Sequence, residues 1–258
     1  MFDPSKFTVQ KAKPLPVFLL LDISGSMNEV IDTENMRRTG HFFEDDGQIW
    51  EQVEGGTSKI QVLNKAVSTM IDTFANEERM ETEFLVSIIV FGDTATEHLS
   101  PTPASSITWT DMTAAGNTAM GAAFALAKRQ IEDKTVVPSR AYRPTIVLVS
   151  DGEPTDDWKQ PLQLLIKEGR SSKCFFMAMG IGNNPGEQVL KQFISQTPIL
   201  ANVNDTQIPN TVFRANDADK IHEFFRKVTM SVTMRSKSSQ PNSIPTSMKS
   251  DSNDNSYW

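Results

Sequence analysis

"VFLLLDISGSM", residues 17–27, runs five apolar residues in a row and then breaks into an aspartate and two serines around a glycine. An unbroken apolar run fits a strand covered on both faces, as in a parallel sheet, better than the alternation of a sheet with one wet face. Three more runs repeat it: "FLVSIIVF" (84–91), "TIVLVSD" (145–151) and "KCFFMAMGI" (173–181). Helical patterns lie between them. Ile60, Leu63, Val67, Met70, Ile71 and Phe74 form one apolar stripe, opened by Ser58 and Gln61 at capping-box spacing. Met120, Ala123, Phe124, Ala127 and Ile131 form another. A third helix is predicted in "DWKQPLQLLIKEGR" (157–170), with Pro161 confined to its first turn, and a fourth in "GEQVLKQFIS" (186–195). The last covers "DADKIHEFFRKVTMSV" (217–232), with Asp217 or Asp219 near its N-cap. Strands alternating with helices predict an α/β fold: a doubly wound, mostly parallel central sheet with helices on both faces. "TATEHL" (94–99) reads as a short antiparallel edge strand and "TVFRAN" (211–216) as a last strand.

The 258 residues divide into an N-terminal arm (1–13), one domain (14–234) and a tail (235–258). The tail is rich in Ser, Asn, Pro and charge, a composition that predicts disorder. A net charge of −7 argues against a general nucleic-acid binder. The opening residues carry no apolar signal core, and no run reaches the 18 or so apolar residues of a membrane span. Cys174 is the one cysteine, so no intrachain disulfide forms, and its apolar setting predicts a packed thiol. These features predict a cytoplasmic location.

Open α/β sheets bind ligands beyond the carboxyl ends of their strands. The first strand offers Asp22, Ser24 and Ser26 there, and "SDGEPTDD" (150–157) offers Asp151. "TAAGNTAMGAAF" (113–124) places Thr118 where a helix begins. Two carboxylates and three hydroxyls are hard oxygen donors, suited to Mg²⁺, or to Mn²⁺ or Ca²⁺, rather than zinc or copper. Asp22 and Asp151 neutralise one divalent ion, and so sparse a set leaves a position that a partner's Asp or Glu can fill. Gly25, Gly116 and Gly121 are expected to let the backbone turn tightly around the site. Taken singly, each of the five reads as a helix cap or turn residue. Taken together and in order, they read as a metal site, because paired carboxylates are costly without a cation.

These three motifs, "DISGSM", "GNTAMG" and "SDGEPTDDW", resemble the metal-ion-dependent adhesion site of von Willebrand factor A domains. Residues 14–235 are most similar to the bacterial TerY-like tellurium-resistance branch. The resemblance implies that Ser24, Ser26 and Thr118 ligate a metal, with Asp22 and Asp151 binding it directly or through water. It implies a non-enzymatic, metal-dependent protein-binding module whose partner supplies an Asp or Glu. It also implies a bacterial tellurite-resistance, stress or conflict system, in company with a protein kinase and a metal-dependent phosphatase.

The competing reading is a metal-dependent phosphoester hydrolase, because "VSDGEPTDDW" is similar to a segment of metal-dependent phosphatases. The alternation of elements is wrong for their β-sandwich, and the early Asp-Gly-His-Gly type of motif has only "DDGQ" (45–48) to stand for it. His41, His98 and His222 are scattered over the chain, neither His98 nor His222 is near a site motif, and no acid–base pair is readable. "GIGNNPG" (180–186) follows a strand but is one residue too long for a dinucleotide fingerprint, and reads as a turn.

One segment departs from the family pattern. Residues 28–58 intervene between the Asp-x-Ser-x-Ser turn and the first helix. They hold eight acidic residues (Glu29, Asp32, Glu34, Glu44, Asp45, Asp46, Glu51 and Glu54) against Arg37 and Arg38, a net charge of −6. "HFFEDDGQIWEQV" (41–53) predicts a hairpin turning at Asp46-Gly47. The insertion is expected to select the partner or to shield the site.

Overall fold

The structure is a computed structural model that describes residues 12–45, 48–78, 82–182, 186–195 and 211–242. Strand β1 (Lys13–Asp22) leads into a short insertion sheet made of β2 (Val30–Asp32) and β5 (Thr57–Ser58), with the hairpin β3 (Arg37–Asp45) and β4 (Gln48–Glu54) between them. There follow α1 (Lys59–Glu77), β6 (Thr82–Phe91), β7 (Ala95–Pro103), α2 (Met120–Glu132), β8 (Thr145–Ser150) and α3 (Lys159–Lys167). The chain ends its regular structure with β9 (Phe175–Ile181), α4 (Glu187–Ile194), β10 (Phe213–Ala215) and α5 (Ala218–Lys237).

The central sheet has the order β10-β9-β8-β1-β6-β7, parallel except where β7 runs antiparallel to β6. Alternate residues of β1 feed two separate cores, as the two-residue period of a strand requires. Leu15, Val17, Leu19 and Leu21 pack with the stripes of α1 and α5 on one face. Phe18 and Leu20 pack with α2, α3 and α4 on the other. The unbroken apolarity of residues 17–21 thus reflects two buried faces.

Two limits differ from the sequence reading. The edge strand β7 is nine residues long and carries two register irregularities against β6. Its Pro101 and Pro103 hid it, yet prolines are tolerated on an edge strand. Helix α5 continues to Lys237, past the expected domain limit at 234, because Arg235 is buried and capped by polar partners. Its guanidinium donates to Thr145 Oγ1 (2.7 Å), to the Arg143 carbonyl (2.6 Å) and to the Pro241 carbonyl (2.9 Å), and lies 4.1 Å from the centre of the Phe175 ring. The rest of the tail, 243–258, and most of the arm, 1–11, lie outside the described residues. Cys174 is buried as expected, and burial pushes its thiol up to about 12. Among the described residues no helix is long and apolar enough to cross a membrane.

Candidate metal centre

β1 pairs directly with β8, so the ends of the two acidic strands are neighbours. Asp22 closes β1, and its carboxylate is fully buried. One of its oxygens accepts from the Ser24 backbone N–H (2.8 Å) and the other from the Ser150 hydroxyl (2.5 Å). The Ser24 and Ser26 hydroxyls stand 3.0 Å apart, and Ser26 Oγ donates to Asp151 Oδ1 at 2.8 Å. The chain Ser24–Ser26–Asp151 therefore joins residues 125 positions apart in sequence.

Thr118 arrives on the loop before α2, which backbone bonds lace to the first motif. Gly25 N–H donates to the Gly116 carbonyl (2.9 Å), and Ala115 N–H to the Ile23 carbonyl (2.7 Å). The Thr118 and Thr155 segments are bonded to each other, Thr118 N–H to Thr155 Oγ1 (3.1 Å) and Thr155 N–H to the Thr118 carbonyl (3.0 Å). Thr118 is buried, and its hydroxyl lies 3.9 Å from the place a Cβ on Gly152 would take, beside Asp151. All five sequence-predicted positions thus come to one end of the sheet.

The glycines serve different ends. Gly116 has a φ of +81°, a left-handed turn, and a side chain there would strike the Asp93 carboxylate that accepts from Asn117 N–H. Gly121 has no such φ; a Cβ there would fall on the backbone of Asp157 and Trp158, so it is a close approach rather than the expected turn. That approach lets Asp156 accept from Gly121 N–H (2.8 Å) and Ala122 N–H (2.9 Å). Asp156 caps α2 from a distant segment, a placement favoured by the helix dipole.

Two residues at the site were missed from sequence. Ser150 is one. The other is Lys59, the first residue of α1, whose buried ammonium bonds Asp151 Oδ2 (2.8 Å), Glu29 Oε2 (2.5 Å) and the Ser26 carbonyl (3.4 Å). A lysine in a helix's first turn opposes the macrodipole, and that was the available signal that an anion waits beside it. Burial works against its charge, but Asp151 and Glu29 outweigh burial and hold its pKa above the ordinary value. Asp22 moves the other way for a carboxylate: burial pushes it up to about 6, against the pull of the Ser150 and Ser24 bonds, with a further push from Asp151.

The donor set fits a hard divalent cation. It holds oxygens alone, and among the described residues no group of three or more His, Cys, Asp or Glu offers an alternative metal centre. The histidines stand apart: His98 Nε2 is 2.9 Å from the Thr110 carbonyl and its ring meets Trp109 edge-on, while His41 and His222 are exposed. The "GIGNNPG" stretch joins β9 to α4 and borders the site as a structural turn: a side chain on Gly186 would strike the Gly152 carbonyl beside Asp151, one on Gly182 would approach Lys59 Nζ, and 183–185 lie outside the described residues. The layered parallel sheet also differs from a phosphatase β-sandwich.

Comparison with solved structures finds the same fold at low identity. A von Willebrand factor type A protein from Catenulispora acidiphila is 20% identical over 86% of this chain and 43% of its own (TM-score 0.52). Proximal thread matrix protein 1 of the mussel byssus, described with a zinc-occupied MIDAS motif, is 17% identical over 86% of this chain and 46% of its own (TM-score 0.52). The PilB minor pilin of Streptococcus sanguinis is 13% identical over 88% of this chain and 63% of its own (TM-score 0.53). The chain thus spans less than two thirds of each of these. No curated protein matches it. The von Willebrand factor type A domain family matches residues 17–227, most of the sequence and every segment of the site, and the chain belongs to that family.

Proposed function

We propose that this chain is a metal-dependent protein-binding module without enzymatic activity of its own. The observation that carries the reading is the run of contacts from Ser24 through Ser26 to Asp151, set against the buried Asp22. Asp22, Ser24, Ser26, Thr118 and Asp151 would hold the ion, Mg²⁺ by donor type, with Mn²⁺ or Ca²⁺ as competitors. When bound, the ion supplies a cationic centre that a partner's Asp or Glu completes. Mg²⁺ takes six ligands and this set offers five, so the protein leaves a coordination position that the partner can fill. Ser150 and the Ser24 N–H hold Asp22 in place, and Ser26 aligns Asp151. The zinc-occupied motif named for the mussel protein supports the reading.

The motif resemblance to the TerY-like branch supports a place in a bacterial tellurite-resistance, stress or conflict system, with a protein kinase and a metal-dependent phosphatase as partners. A cytoplasmic location goes with that role. The test has two arms. Mg²⁺ is expected to raise the melting temperature of the wild type and not of Asp151→Ala. Partner capture from a native lysate is expected to be lost with chelator and with Asp22→Ala. Hydrolysis of a generic phosphoester that depends on Mg²⁺ and is lost in Asp151→Ala would overturn the reading in favour of a phosphatase.

A further inference from the structure

Exposed apolar surface is concentrated in one place. Of the six large hydrophobic residues exposed among the described residues, Val30, Met36, Phe42, Phe43 and Ile49 lie in the insertion, and only Met230 lies elsewhere. Phe42, Phe43 and Ile49 are 66%, 54% and 77% exposed, and all three sit on the β3–β4 hairpin. The hairpin is a two-stranded sheet of its own, joined to neither the central sheet nor the β2–β5 pair. Phe42 pairs with Glu51 and Ile49 with Glu44, so Phe42, Glu44, Ile49 and Glu51 share one face. Isolated two-stranded hairpins are marginal in water, and clustered exposed apolar groups on a rim of charge mark interaction surfaces.

The stem of the insertion is fixed at the metal centre. Val30 pairs with Ser58, Lys59 N–H donates to the Glu29 carbonyl (3.0 Å), and the Glu29 side chain shares the Lys59 ammonium with Asp151. The occupant follows from charge. The hairpin itself, 37–54, holds Glu44, Asp45, Asp46, Glu51 and Glu54 against Arg37 and Arg38, a net charge of −3 with Arg38 paired to Glu51 (3.3 Å), so two copies meeting hairpin to hairpin would set like charge on like charge. The face calls for the opposite: an apolar cleft rimmed by lysine or arginine.

We propose that the β3–β4 hairpin is a second docking element, which grips a partner protein through a basic-rimmed apolar cleft close to the carboxylate that reaches the metal. This rests on the reading of the metal centre as a protein-binding site, yet the hairpin's own binding is metal-independent. The partner's chemistry is thereby specified: an acidic residue for the ion within a positively charged, partly apolar surface.

The test uses the full chain and short fluorescein-labelled peptides of one length, read by anisotropy in chelator so that the metal centre contributes nothing. The probes alternate lysine with leucine, lysine with serine, and glutamate with leucine. The lysine–leucine peptide is expected to bind the wild type in chelator, and the other two are not. Because exposed aromatic and aliphatic anchors dominate such contacts, Phe42→Ser with Ile49→Ser is expected to weaken binding by about tenfold or more. Glu44→Lys with Glu51→Gln tests the charge on that face without touching the apolar residues, and is expected to weaken binding in the same direction. Equal binding of the lysine–leucine peptide to wild type and Phe42→Ser/Ile49→Ser overturns the proposal, as does no binding at all. So does sedimentation showing a dimer of the wild type that this double variant dissolves, which assigns the face to a second copy. A metal centre that fails to bind Mg²⁺ while the peptide result holds sinks the metal reading alone.

Discussion

Lys59→Met removes the cation that Asp151 now shares with Glu29. The Asp151 side chain is fully buried, and Lys59 is its only ion-pair partner among the described residues. Breaking a buried pair by removing one partner costs about 3 kcal/mol at the low end, because a buried charge is left uncompensated. That applies to the metal-free protein. With a divalent ion present, Asp151 keeps a cation, and the loss falls to that of an ordinary hydrogen bond, about 1 kcal/mol. The difference of about 2 kcal/mol must appear in metal affinity, and tightens Mg²⁺ binding by about 30-fold. Isothermal titration at neutral pH reads the affinity, and urea unfolding in chelator reads the stability. The paired variant Glu29→Gln works in the opposite sense. Its carboxylate is two-thirds exposed, so the loss is that of a surface pair, under about 1 kcal/mol, and Mg²⁺ binding weakens by no more than about fivefold. An Mg²⁺ affinity of Lys59→Met that is unchanged or weaker than wild type refutes the reasoning. Lys59 would then be a structural link between α1 and β8, with no influence on the ion.

Asp22 sets a pH dependence. Its folded pKa is raised from 3.8 to about 6, so the metal-free protein keeps a proton that the unfolded chain releases. The stability this gives is full below the unfolded value and is lost as pH rises through about 6, whereas Mg²⁺ needs the ionised carboxylate, so its effect on melting temperature grows from about pH 5 to pH 7.5. A Mg²⁺ shift that is flat across that window counts against Asp22 as a donor. Arg235→Met strips hydrogen bonds from Thr145 and from the Arg143 and Pro241 carbonyls, and is expected to cost about 3 kcal/mol in urea unfolding. Burial lowers the Arg235 pKa to about 10, which leaves it charged at neutral pH, so the loss is the same at any pH near 7. Asp156→Ala uncaps α2 and is expected to cost about 1 kcal/mol of stability, with Asp156→Asn recovering part of it.

What the sequence made legible was whatever repeats along a short stretch. The apolar runs gave four of the five parallel strands, and Ser58 with Gln61 gave the start of α1, where both capping bonds are present. The five candidate residues could be picked out together because they lie at or just past a strand end or just before a helix, and strand ends converge in this architecture. Contacts across the chain were not. Asp156 reaches α2 from 35 residues away, and Ser150 meets Asp22 across 128. The edge strand β7 was cut short because its Leu99-Ser100-Pro101-Thr102-Pro103 stretch lacks alternation, yet the register carries on to Pro103 by slipping twice.

Lys59 shows how a charge total can stand while its terms change. Counting Asp22 and Asp151 alone gives two negative charges, the number one divalent ion cancels. The structure adds a cation and an anion to that centre, Lys59 and Glu29, and the total stays at two. The balance now depends on a residue at the root of the acidic insertion. Removing Lys59 leaves three negative charges in this cluster, and removing Glu29 leaves one, so the same small cluster is tuned up or down from opposite sides. Lys59 in the first turn of α1 and Glu29, three residues past the Asp-x-Ser-x-Ser turn, therefore belong to the candidate centre as much as the serines do. An insertion that begins there is tied electrostatically to Asp151 through a single ammonium group.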